Sequence, residues 1–141
     1  MKAVVIYESL TGNTRKAAGL VAGALESAGW AATVCNVTHV DMQSLAAADL
    51  VVVGSWTDGF IFVGQRPGRA GRLKSLPVMY GKKCVVFCTY AIDPGQTLEK
   101  LSGILRARGA DVLGGYAIRR DRMTRDVREF VNRTLDVVTP A

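Results

Sequence analysis

Five short apolar runs recur along this 141-residue chain, and a stretch with helical spacing or a turn-rich loop follows each of them. Leu50-Val51-Val52-Val53 is the purest. Ala3–Tyr7 and Lys83–Cys88 are rich in β-branched residues, Ala32–Val37 alternates, and Asp111–Ile118 is interrupted by glycine. Between them, Thr14, Ala17, Ala18, Val21, Leu25 and Ala28 fall on one helical face that Gly29 closes, and Asp41–Ala48 reads as a short helix. Ala70–Leu76 reads as another, stopped by Pro77. Asp93-Pro94 looks like an N-cap with proline in the first turn, opening a helix through Leu98, Leu101, Ile104 and Leu105 that ends at Gly109. Val127, Phe130, Val131, Thr134, Leu135 and Val138 line a last helix, and Ser55–Gly68 reads as a long loop. Strands that are apolar on both faces belong in a parallel sheet covered by helices on each side. The expectation is one doubly wound α/β domain over residues 1–141, with five parallel strands. Ligands of such folds bind at the carboxyl ends of the strands, where the strand order reverses. The loops after strands one, three and four are therefore the candidate site.

Composition narrows the class. Hydrophobic residues make up 49% and charged residues 21%, which is globular. The three cysteines, 35, 84 and 88, form no CxxC pair, and His39 is the one histidine, so a disulfide framework and a Cys/His zinc site are both excluded. Cys84 and Cys88 share a strand face about 13 Å apart, too far for a disulfide. The opening apolar run is too short for a signal peptide, and none is long enough to span a membrane. The expected setting is the cytoplasm, with no membrane association. Net charge is +6 but uneven. Residues 1–65 hold three bases and five acids, and residues 66–141 hold fifteen bases and seven acids. The basic half points to an acidic partner or an anionic ligand. The run Arg119–Arg125 carries four arginines and no aromatic residue, which reads as a solvated helix start and argues against a nucleic-acid platform.

The loop after strand one reads Ser9-Leu10-Thr11-Gly12-Asn13-Thr14 and leads straight into a helix. A helix N-terminus offers free N–H groups and the positive end of a dipole, both suited to phosphate. Ser9, Thr11 and Thr14 add hydroxyl donors, and Gly12 lets the backbone approach closely. GxxxxGK[ST], GxGxxG and the cysteine–arginine spacing of small phosphatases are all missing, which excludes three other phosphate sites.

Ser9–Thr14 matches in full the phosphate loop of the flavodoxin family, T/S-x-T-G-x-T, and the chain resembles that family over nearly its whole length. The resemblance implies strand order 2-1-3-4-5, non-covalent FMN, and electron shuttling between redox partner proteins. It places the phosphate on Ser9, Leu10, Thr11, Gly12, Asn13 and Thr14. The second loop, Ser55, Trp56, Thr57, Asp58, Gly59 and then Phe60, would offer Trp56 to one face of the flavin. The third, Cys88, Thr89 and Tyr90, would offer Tyr90 to the other face and its backbone to the pyrimidine edge. Flavin chemistry needs no acid, base or nucleophile from the protein, so no catalytic residue and no metal is expected.

The sequence departs from the family pattern in two respects. Its third loop lacks an acidic cluster, with Asp93 as the single acid, and the chain is basic. Arg66, Arg69, Arg72 and Lys74 follow the second loop, where positive charge near the flavin would favour its reduced anion and give a less negative potential. Arg66, Arg69 and Arg72 would also dock acidic redox partners. Two alternatives stand beside the carrier: a small FMN-dependent reductase acting on a quinone or another small acceptor, and a flavin-free module binding through its basic face.

Overall fold

The computed structural model describes residues 1–59 and 64–139. Five parallel strands form its sheet: β1 (Lys2–Tyr7), β2 (Ala31–Asn36), β3 (Leu50–Asp58), β5 (Lys83–Tyr90) and β6 (Asp111–Arg119). A two-residue strand, β4 (Arg66–Pro67), pairs antiparallel with the end of β3. The order is β2-β1-β3-β5-β6, the expected arrangement once β4 is set aside.

Alternate residues of the strands feed two cores. Ala3, Val5, Val52, Val85 and Phe87 face α1 (Asn13–Ser27) and α5 (Met123–Val138), whose Ala18, Val21, Leu25, Phe130 and Val131 close that side. Val4, Ile6, Val51, Val53 and Val86 face α2 (Met42–Ala47), α3 (Ala70–Lys74) and α4 (Thr97–Ala107), which contribute Leu45, Leu73, Leu101 and Leu105. Each such aliphatic side chain stabilises the fold by about 1.5–3 kcal/mol through burial alone. The chain winds from β1 to β2 on one side and to β3, β5 and β6 on the other, so the order reverses beside β1.

Three boundaries differ from the sequence expectation. β3 does not stop at Gly54; it runs on to Asp58, because this glycine marks a close approach rather than a break. A Cβ there would lie 2.0 Å from the Phe87 ring. The supposed loop Ser55–Gly68 is therefore partly a hairpin, with Thr57 opposite Pro67 and Asp58 opposite Arg66. Phe60 lies outside the described residues. Asp93 does not cap α4, which begins at Thr97 with Gln96 as its N-cap. Its carboxylate instead accepts the Gly95 N–H at 2.9 Å, a local turn that competes with helix initiation.

Candidate flavin site

Three chain segments converge at the carboxyl ends of β1, β3 and β5. The Glu8 N–H donates to the Gly54 carbonyl at 3.0 Å, tying the first loop to β3. Ser55 stands opposite Cys88 and Trp56 opposite Thr89 in the β3–β5 register. The Thr14 and Thr89 hydroxyls meet at 2.9 Å, both buried, joining α1 to β5. All three predicted loops are thus brought together.

Gly12 is the N-cap of α1, with φ +97° and no Cβ that would need room. No side chain caps the helix, and its first turn carries no acid, so its leading N–H groups remain available. Ser9 Oγ accepts the Gly12 N–H at 3.1 Å, and Thr11 Oγ1 accepts Asn13 Nδ2 at 3.2 Å. Each hydroxyl spends acceptor capacity inside the loop and keeps its own O–H to donate. Leu10 projects outward, 60% exposed.

At the end of β3, Gly68 is held twice. Its N–H donates to the Trp56 carbonyl at 2.8 Å, and its carbonyl accepts Ser55 Oγ at 2.9 Å. The main chain at Gly68 consequently lies on the Trp56 ring, where a Cβ would come within 2.0 Å of it. The Arg69 guanidinium stands 5.5 Å from the ring centroid. Trp56 is half-buried, so this tryptophan already has partners from its own chain. Asp58 accepts the Gly59 N–H at 3.0 Å and pairs with Arg66 at 3.5 Å. Thr57 Oγ1 is buried, with the weakly interacting Cys88 thiol as its neighbour and no nitrogen or oxygen partner. Burial pushes that thiol up to about 12, with Thr57 offsetting part of the rise, so Cys88 stays a neutral wall rather than a nucleophile. Tyr90 is half-buried at the end of β5.

Glu8 was not singled out from the sequence, where it sits at the head of an ordinary polar loop. Its carboxylate is wholly buried. Arg69 Nη1 donates to it at 2.8 Å, and Arg72 Nη1 reaches both of its oxygens at 3.3 Å. Arg69 adopts left-handed backbone, φ +49°, to place its side chain there. No spacing rule links an acid with bases 61 and 64 residues away. Two of the arginines expected to face the flavin and dock acidic partners thus share one buried anion.

An uncapped helix start beside hydroxyls that keep a donor free fits a phosphate monoester. A buried Thr57 hydroxyl with only a thiol beside it and flanking aromatic residues fit a polar, flat group beyond it. The comparisons agree with this chemistry. Residues 4–138 match the family model described as Flavodoxin domain. Among solved structures, the two-electron reduced flavodoxin of Megasphaera elsdenii matches with a TM-score of 0.72 at 21% identity, over 93% of this chain and 98% of that one. A point mutant of the flavodoxin of Pseudomonas aeruginosa matches with a TM-score of 0.74 at 15% identity, over 99% and 100%. The rubredoxin oxygen:oxidoreductase of Desulfovibrio gigas matches at 0.67 and 20% identity, over 99% of this chain but 37% of that one. Among curated proteins none matches significantly. The family model and the fold define an FMN-binding class of electron-transfer protein. The chain belongs to the flavodoxin family.

Proposed function

We propose that this protein carries electrons between redox partner proteins by means of FMN, with its phosphate held by the 9–14 loop. The observation that supports this best is the donor capacity of that loop: uncapped α1 amides lie beside the Ser9 and Thr11 hydroxyls, whose oxygens accept within the loop and leave their O–H groups to donate. Trp56 and Tyr90 would flank the ring system, and Ser55, Thr57, Asp58, Gly59, Cys88 and Thr89 would form its rim and floor. FMN when bound supplies the one- and two-electron chemistry. The chain's own work is to anchor the phosphate, shield the ring from water and set the local charge. Around the site, exposed Leu10 and Ile92 offer apolar contacts, and Arg66, Arg69 and Arg72 keep partly exposed guanidinium groups. That surface suits acidic partners. With Glu8 counted, the Glu8–Arg69–Arg72 cluster carries one net positive charge rather than two, which moderates but keeps the expected shift to a less negative potential. No helix among the described residues is long and apolar enough to cross a membrane.

Titrating the purified protein with FMN tests the reading. Saturable binding with quenched flavin fluorescence, and turnover that needs a separate reductase, are the expected results. Turnover of NAD(P)H and a quinone by the protein alone would move it to the self-contained reductase. A protein that ignores FMN would move it to the flavin-free module.

A further inference from the structure

On the flank of the molecule, a groove of about 610 Å³ opens between α4 and the β4–α3 segment, where β4 pairs with the end of β3. It exists because α3 has only five residues and covers part of the α4 flank. α4 packs inward through Leu101 and Leu105. A second stripe, Lys100, Gly103, Ile104, Ala107 and Arg108, recurs at three- and four-residue spacing and lines the groove. Gly103 leaves open space where a side chain would stand.

Pro67, Ala70, Ile104 and Ala107 make the interior apolar, and four cations edge it: Arg66 and Lys74 on one wall, Lys100 and Arg108 on the other. No carboxylate lines it among the described residues. Arg66 has Asp58 at 3.5 Å, whereas Lys74, Lys100 and Arg108 have no carboxylate partner among the described residues. Lys100 Nζ is fixed by the Gln65 carbonyl at 2.8 Å, and Arg108 Nε is buried with no hydrogen-bond partner. A concave apolar space with convergent polar groups has the size and character of a small-ligand site. Cations on both walls select a negative head group.

We infer that this groove binds a small organic anion with an apolar body, of the aryl or medium-chain carboxylate or sulfonate class. The head group lies between the two basic walls, and the body covers Pro67, Ala70 and Ile104. The site shares no residue with the phosphate loop or the third loop, and it adjoins the second through Arg66, whose partner is Asp58.

The test is titration of 1-naphthoate into the purified protein, with and without FMN, read by backbone amide shifts. Shifts at Ala70, Gly103, Ile104 and Ala107 are expected. The doubly charge-reversed variant Lys74→Glu with Arg108→Glu should weaken binding by about tenfold or more, as losing charged contacts does. Gly103→Leu should block the floor, 1-naphthalenemethanol should bind more weakly than the acid, and Glu26→Gln, exposed on α1 across the sheet, should leave 1-naphthoate binding unchanged. Shifts confined to the 9–14 loop, equal affinity for acid and alcohol, an undiminished double variant, or no shift at millimolar ligand would each overturn the assignment. These readouts do not require FMN to bind, so the groove and the flavin reading fail separately.

Discussion

The Glu8 carboxylate has no exposed surface, yet the Arg69 guanidinium that meets it at 2.8 Å is 39% exposed. The pair is therefore asymmetric: one charge depends wholly on its partners, and the other can turn to water. Removing the partners of a buried charge costs about 3–5 kcal/mol, whereas removing the buried charge itself leaves groups that solvent can satisfy. Arg69→Met with Arg72→Met should destabilise the fold more than Glu8→Gln. Urea denaturation of the two variants measures it, and the reverse order would contradict the asymmetry.

The phosphate loop separates two effects. Thr11→Ala removes a free donor and should weaken FMN by about 1–3 kcal/mol while leaving the apo-protein as stable as before. Thr14→Ala also strips Thr89 of its buried partner at 2.9 Å, so it should lower both FMN affinity and the melting temperature. Fluorescence titration and calorimetry on the same preparations distinguish the pair.

Two glycines stand where aromatic rings fill the place of a side chain. Gly54→Ala drives a methyl into Phe87 at the centre of the sheet, where overpacking costs about 1–3 kcal/mol or more. Gly68→Ala drives one into Trp56. It should shift tryptophan emission and weaken FMN with a smaller loss of stability, since this hairpin lies at the edge of the core. Unchanged Trp56 emission in that variant would separate Gly68 from the ring.

Burial raises the Cys84 and Cys88 thiols from an ordinary 9.0 to about 12. Half-buried Cys35 is also raised, by desolvation first. At about pH 8, iodoacetamide should modify Cys35 first and reach the other two only on unfolding. Because the folded thiols hold their protons more tightly than the unfolded ones, their contribution is intact below about pH 9 and is lost progressively between there and about pH 12. Cys88→Ala should flatten that decline in denaturation curves measured at alkaline pH.

Much of this was legible in the residues because two periodicities carry it. Runs such as Leu50–Val53 announce buried parallel strands, and Ser9–Thr14 between a strand and a helix announces an anion site. Gly54 misled because a glycine that ends a strand and one that admits a ring look alike in a sequence. Asp93-Pro94 misled because the same dipeptide serves a cap and a local turn. Glu8 was invisible because its meaning lies in arginines far along the chain, brought near only when β4 folds back on β3.

The left-handed turn at Arg69 has a consequence for engineering. Glycine would sit there at ease, whereas an arginine forgoes about 1 kcal/mol of backbone comfort. A replacement chosen for conformational ease alone would relax the chain while leaving the Glu8 carboxylate to Arg72 and uncovering an indole. The strained residue is thus the keystone of that corner, its guanidinium joining the buried carboxylate to the indole.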